Sequence, residues 1–207
     1  PLEVGKKINI AWEGKIACVS CGRQIKKSFQ NGHCYVCFTQ KASCDLCILK
    51  PELCHYHLGT CREPDWGLSH CFQDHIVYLA NTTGLKVGIT RLTNMPRRWI
   101  DQGAMQALPI LKTKNRYQAG CIEVLFKPHV SDRTNWRTML KQDAILIDLI
   151  AERERLLDLV ADELTQFCNQ YPSGTIEQLN QQQPWSIMFP TPYYPTKVIS
   201  LSLDKTP

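Results

Sequence analysis

The chain has 207 residues, 43% of them hydrophobic and 21% charged, with a formal net charge of +5 and eleven cysteines. That length can bury a core in one or two domains, and no apolar run approaches the roughly 18 residues of a membrane span or reads as a signal peptide. With no export signal, the cysteines point away from disulfides and toward metal in a reducing cytosol, so a cytoplasmic protein without a membrane partner is expected. Residues 1–50 hold eight Lys/Arg against three Asp/Glu, which accounts for the whole excess. Zinc held by four thiolates carries a local charge of about −2, so two such sites nearly cancel it. Only local patches can therefore argue for nucleic acid.

Over residues 1–17 apolar and polar residues alternate (KKINIAWEGKIA), which suits one or two strands. Then come Cys18-Val19-Ser20-Cys21-Gly22 and Cys34-Tyr35-Val36-Cys37. Two Cys-x-x-Cys pairs at this spacing form a zinc-ribbon pattern: each pair turns two sulfurs toward one point, and tetrahedral Zn²⁺ takes all four. Gly22 fits the positive-φ turn that closes such a knuckle. No βαβ pattern surrounds either pair, which argues against thioredoxin-type redox disulfides. The basic stretch Arg23–Phe29 can track a phosphate backbone with Phe29 stacking on a base, or it is a solvated hairpin face with Phe29 packed under the metal site. The packed reading is favoured.

A second cysteine cluster follows: Cys44-Asp45-Leu46-Cys47, then Cys54, His55, His57, Cys61, His70 and Cys71. Cys44 and Cys47 form a knuckle. The other half of a zinc site is Cys61 with Cys71, Cys54 with Cys61, or Cys54 with His57. The pair Cys61 and Cys71 is preferred, because it brackets residues 62–70 and fastens this stretch against the strand at Ile76. The segment has little apolar content to fold otherwise, so a closed, structural site is expected.

Two β-type runs, Ile76–Ala80 and Leu85–Thr90, are joined by Asn81-Thr82-Thr83-Gly84, a hairpin signal. A compact helix signature comes next: Thr93 or Asn94 as cap, Pro96 in the first turn and Gly103 at the end. Arg98 and Gln102 are four apart and share a face. This order resembles the core of the GIY-YIG endonuclease superfamily. There the first strand carries Gly-Ile-Tyr, the second Tyr-Ile-Gly, and a helix with an essential arginine follows. Here Ile76-Val77-Tyr78 keeps the tyrosine, Lys86-Val87-Gly88 keeps the glycine with lysine in place of the second tyrosine, and Arg98 aligns with the arginine. Gln102 falls where some members have histidine. The paired cysteines, Gly59-Thr60-Cys61-Arg62 and Val87-Gly88-Ile89-Thr90-Arg91 are similar to an uncharacterised bacterial family of unknown function related to that superfamily, over nearly the whole chain. The resemblance, a start on Pro1 and an end on the apolar run Lys197–Leu203 together imply that relatives extend at both ends.

Ala107–Lys112 reads as a third strand and Ala119–Phe126 as the start of a helix. The resemblance implies that a glutamate on that helix holds a catalytic Mg²⁺ or Mn²⁺. Glu123 is the only carboxylate between Asp101 and Asp132; it can equally pair with Lys127 at i+4. The resemblance also implies an asparagine beyond it, for which Asn135 stands. Asp143–Gln170 reads as one long amphipathic helix stopped by Tyr171-Pro172-Ser173-Gly174, and the tail as irregular strands packed over the core. Cys121 and Cys168 read as ordinary core cysteines.

The expected fold is α+β: a zinc-ribbon-like module with two zinc sites (1–74), a small three-stranded GIY-YIG-like sheet with flanking helices (75–142), then the long helix and tail (143–207). Its expected ligands are two structural zinc ions, on Cys18, Cys21, Cys34 and Cys37 and on Cys44, Cys47, Cys61 and Cys71. The resemblance assigns Tyr78, Lys86, Arg98, Glu123 and Asn135 to a phosphodiester-binding site. Lys86 and Gln102 depart from the nuclease pattern, so a zinc-containing DNA- or RNA-binding protein with a degenerate nuclease-like site ranks just ahead of an active Mg²⁺/Mn²⁺-dependent endonuclease. A zinc-dependent protein-interaction module ranks third.

Overall fold

The computed structural model describes residues 6–9, 11, 13–130, 135–141, 145–190 and 193–200. The alternating N-terminal stretch lies partly outside these residues, as do 201–203 of the last apolar run. The fold is α+β, and it begins with a two-residue antiparallel ribbon, β1 (Ile16–Ala17) with β2 (Gln24–Ile25), around the first cysteine pair. The second pair does not form another knuckle. Cys34 caps helix α1 (Tyr35–Gln40), accepting from the Cys37 amide at 3.4 Å, so these two sulfurs project from a helix N-terminus. Phe29 packs on Phe38 and Tyr35.

Residues 42–58 contain four separate 3-10 turns, and α2 (Pro64–His70) follows. Then the main sheet starts. β3 (His75–Asn81) and β4 (Leu85–Arg91) form the expected hairpin, with Tyr78 opposite Gly88 and Ala80 opposite Lys86. Beyond β4 the backbone differs from expectation. Leu92–Asn94 form a 3-10 turn of their own, and Pro96, after a cis bond from Met95, directly precedes α3 (Arg97–Asp101). Gly103 ends that helix at φ +66°, where a residue without a Cβ is unstrained.

β5 (Gln106–Thr113) pairs with β3 across a bulge: Val77 faces Leu111 and Tyr78 faces Pro109, leaving Ile110 as the extra residue. Pro109 has no N–H to donate, and a bulge is where a strand tolerates that loss. α4 (Arg116–Phe126) opens on Asn115, whose Oδ1 accepts from the Gln118 amide at 2.9 Å. α5 (Trp136–Met139) is one turn.

The expected long helix is two helices, α6 (Leu149–Leu159) and α7 (Ala161–Cys168), divided at Val160 (φ −113°, ψ 15°). Residue 143 lies outside the described residues, and 145–148 are not helical. The Gln106 side chain holds this stretch in place by bonding both the N–H and the C=O of Ile147, and Asp148 starts α6 by accepting from the Ile150 and Ala151 amides. Leu156, Val160 and Leu164, spaced four apart, enter one core on either side of the break. The tail adds β6 (Ile176–Gln178) and β7 (Trp185–Ser186) along β5, so three expected strands become five, in order β4-β3-β5 with β6 and β7 on the far edge.

Strand alternation divides the apolar residues between two faces. Val77, Leu79, Leu108 and Ile110 pack against Ala119, Ile122 and Phe126 of α4 and against α6 and α7. Ile76, Tyr78, Ala80 and Ala107 pack against Trp99 of α3. Helices therefore cover both faces, and β4 is left as an edge strand with α3 and α4 on either side.

Candidate phosphate cleft and cysteine centres

A cavity of about 460 Å³ runs along the β4 edge, lined by residues 86–91 in succession, by Arg98 of α3 and Gln102 just after it, and by Arg116 and Glu123 of α4 and Lys127 just after it. Ile48, Leu49 and Pro51 of the cysteine-rich segment form its remaining wall. Four of the five expected residues, Tyr78, Lys86, Arg98 and Glu123, thus meet in one place. Asn135 does not join them. It caps α5, its Oδ1 accepting from the Thr138 amide at 3.1 Å, and its own N–H donates to Thr83.

Cross-strand pairing brings Tyr78, Lys86 and Gly88 to the same face. A Cβ on Gly88 would lie 2.8 Å from Tyr78 Oη and 2.9 Å from Cζ, so glycine here makes room for the phenol ring. Trp99, buried edge-on to Tyr78, holds α3 against that ring. Gln102 links the two elements: its amide oxygen accepts from Arg98 Nη2 at 2.9 Å and Nε at 3.2 Å, and its nitrogen lies 2.7 Å from Tyr78 Oη as donor. In that orientation the Tyr78 oxygen accepts from Gln102, and the phenol proton is not used in that bond.

Burial, against the opposing pull of Arg98, pushes the Tyr78 hydroxyl up to about 12. It is therefore a protonated hydrogen-bond donor near neutral pH and a weak base. Burial, then repulsion from Arg98, lowers the Lys86 ammonium below the ordinary lysine value. Burial raises Glu123, with Lys127 opposing at 3.8 Å. The i+4 pair read from the sequence is present. The lining carries Lys86, Arg91, Arg98, Arg116 and Lys127 against one carboxylate, Glu123. Such a set attracts a polyanion. One carboxylate among five cations is a poor divalent-metal site by itself, because Mg²⁺ held by so few carboxylates draws its other anionic ligands from substrate phosphates.

Sequence reasoning gave no role to Arg91 or Arg116. Arg116 lies thirty residues from Lys86 in the chain, and only the docking of α4 beside β4 makes them neighbours. No local pattern marks that.

The first cysteine centre is built as expected. The sulfurs of Cys18, Cys21, Cys34 and Cys37 all lie within 4.8 Å of one another, and Cys21 and Cys34 are 3.9 Å apart. Tetrahedral Zn²⁺ with bonds of roughly 2.3 Å requires sulfurs about 3.8 Å apart. These four residues fit a structural zinc ion. The knuckle bond from the Gly22 N–H to the Cys18 carbonyl is made at 2.9 Å, and Gly22 has φ +70°. The backbone amide of Cys34, with those of Cys21 and Ser20, brings the Cys18 thiol down to about 6 against burial, whereas the Cys34 side chain and burial push Cys37 up to about 12. None of the eleven cysteines is disulfide-bonded.

The second cysteine stretch arranges itself differently from the expected set. Cys47, Cys54 and Cys71 cluster in the interior with Tyr56, Trp66 and Tyr117 around them. Cys61 is half-buried, its thiol directed at the Glu63 carbonyl at 3.5 Å. Cys44 is buried outside that cluster. A mixed group, Asp45, Cys47 and His55, also has its ligand atoms within 4.8 Å of one another. His57 stacks on Tyr117, and His70 stacks on Trp66.

The chain belongs to the family described as "Protein of unknown function (DUF2797)", whose model matches residues 5–207. No curated protein and no solved structure matches it. No helix among the described residues is long and apolar enough to cross a membrane.

Proposed function

We propose that the β4-edge cavity binds the phosphate backbone of DNA or RNA, and that the chain is a zinc-containing nucleic-acid-binding protein with a degenerate GIY-YIG-like site. One observation carries this reading: Tyr78, Lys86, Arg98 and Glu123 share a cavity in which five cations surround a single carboxylate. A guanidinium presents a fork of donors to phosphate oxygens, and Gln102 holds that of Arg98 in place. The raised Tyr78 hydroxyl suits donation to phosphate better than activation of water. Zinc on the first cysteine set serves the fold, and a second zinc in the 44–71 stretch completes the module. Reduced cysteines throughout suit a cytoplasmic setting.

Glu123, desolvated in that cavity, favours a second reading: a Mg²⁺- or Mn²⁺-dependent endonuclease whose metal is completed by substrate phosphates. One experiment separates the two. Zinc-replete protein is mixed with labelled single- and double-stranded DNA and RNA, with Mg²⁺ or Mn²⁺, beside Arg98→Ala and Glu123→Ala. Binding without cleavage, weakening steeply between about 50 and 200 mM salt and reduced in Arg98→Ala, supports the binding reading. Affinity flat across that salt range overturns it. Cleavage that disappears in both variants replaces it with the nuclease.

A further inference from the structure

In residues 44–72 the usual burial pattern is inverted. Leu46, Leu49, Leu53, Leu58, Leu68 and Phe72 are all exposed, whereas Cys47, Cys54 and Cys71 are 7%, 4% and 3% exposed. The leucines cannot be what holds this segment together. Nor can its secondary structure, because isolated three-residue 3-10 turns are not self-sustaining. What the segment carries inward is its cysteines, Cys44, Cys47, Cys54 and Cys71 all being buried. Cys54 lies in one buried cluster with Cys47 and Cys71. With Cys61, Asp45 and His55, these three line a cavity of about 10 Å³, close to the space of a single bound atom.

We propose that Cys47, Cys54 and Cys71 hold the second zinc ion, with Cys61 as fourth donor. The proposal rests on the two-zinc reading above and changes its ligands, replacing Cys44 with Cys54. Four thiolates are a complete structural zinc set. The sulfurs of Cys54, Cys61 and Cys71 are not gathered within 4.8 Å of one another as those of the first tetrad are, so the ion would draw them together, with Tyr56, Trp66 and Tyr117 packed around them. The competing group is already satisfied internally. Asp45 Oδ2 accepts from Arg62 Nε at 2.7 Å and lies 3.5 Å from His55 Nε2, and His55 Nδ1 bonds Thr60 at 2.7 Å.

The site reaches the cleft directly. The Arg116 N–H donates to the Cys71 carbonyl at 2.8 Å, and its Nη2 donates to the carbonyls of Ile48 at 2.9 Å and Cys47 at 3.4 Å. Metal on these cysteines therefore fixes the first residue of α4, the helix that carries Glu123, and the cleft wall at Ile48.

The test is zinc content of the purified full-length chain by elemental analysis and native mass spectrometry. Two equivalents are expected in the wild type, one in Cys54→Ser, Cys71→Ser and the first-site control Cys18→Ser, and two in Cys44→Ser and His55→Ala. One equivalent in the wild type overturns both this proposal and the two-zinc reading. Two equivalents in Cys54→Ser, or one in Cys44→Ser, overturn the ligand assignment and leave two zinc ions standing. Should Cys54→Ser not fold, alkylation of the wild type decides: Cys47, Cys54 and Cys71 become reactive together once a chelator removes the second equivalent. Unchanged reactivity after that removal counts against the site.

Discussion

Gly120 lies inside α4, where its replacement by alanine makes opposite predictions at two levels. Helix propensity alone favours alanine by about 1 kcal/mol. The tertiary structure opposes it. A Cβ at 120 would lie 2.5 Å from the Pro51 carbonyl carbon and 2.7 Å from Pro51 Cβ, and it would press on the Glu52 amide nitrogen. Ordinary carbon contacts are about 3.5–4.0 Å. The cysteine-rich segment and α4 must therefore separate by roughly 1 Å, and the obstruction is backbone that no rotamer change can clear. Overpacking of this kind costs about 1–3 kcal/mol, taken here at the upper end. The net effect expected of Gly120→Ala is a loss of about 1–2 kcal/mol, read as a fall in Tm of roughly 2–8 °C for a chain of this size. Thermal unfolding of zinc-loaded protein measures it. A rise in Tm of about 2–4 °C, the propensity value alone, refutes the close approach of α4 to residues 51–52. Because Pro51 and Glu123 line the same cavity, the variant should also bind nucleic acid more weakly.

Three further outcomes are expected. Gln102→Ala removes the acceptor of Arg98 and the partner of Tyr78, so nucleic-acid affinity should fall roughly 5- to 30-fold, for about 1–2 kcal/mol of charge-assisted hydrogen bonding; equal affinity in a direct titration would remove Gln102 from the site. Asp148→Ala deletes the cap of α6 and should cost about 1 kcal/mol in denaturant unfolding, and an unshifted midpoint argues against the cap. His75 is fully buried, and burial lowers its imidazole from 6.5 to about 4. Between those values the unfolded chain takes up a proton that the folded chain refuses. Stability from this group is complete above about 6.5 and declines as pH falls toward 4, by up to about 3 kcal/mol. His75→Phe should flatten that slope, and identical slopes in both proteins would refute the assignment.

Much of the fold was legible because it depends on short-range geometry. Cys-x-x-Cys spacing, the Asn81–Gly84 turn, the i+4 relation of Arg98 to Gln102 and that of Glu123 to Lys127 follow from backbone periods that the residues themselves dictate. The same kind of reasoning failed where local preference competes with packing. A continuous helical pattern runs from Asp143 through Val160, but the Asp148 side chain starts the helix later, at Leu149, and the backbone at Val160 leaves helical geometry with no local signal to mark it.

What the sequence by itself determined is therefore local: which cysteines form the first tetrad, the hairpin, and the helix that presents Arg98. What only the tertiary structure decided is which distant residues meet. Cys54, not Cys44, joins Cys47 and Cys71; Arg91 and Arg116 enter the cleft; Asn135 stays outside it. The reason is physical. Between residues 42 and 58 the chain is a series of turns with no repeating period, so the direction of each side chain is set by the whole path of the backbone. Likewise, α4 reaches Glu52 only because Gly120 has no side chain to hold it off.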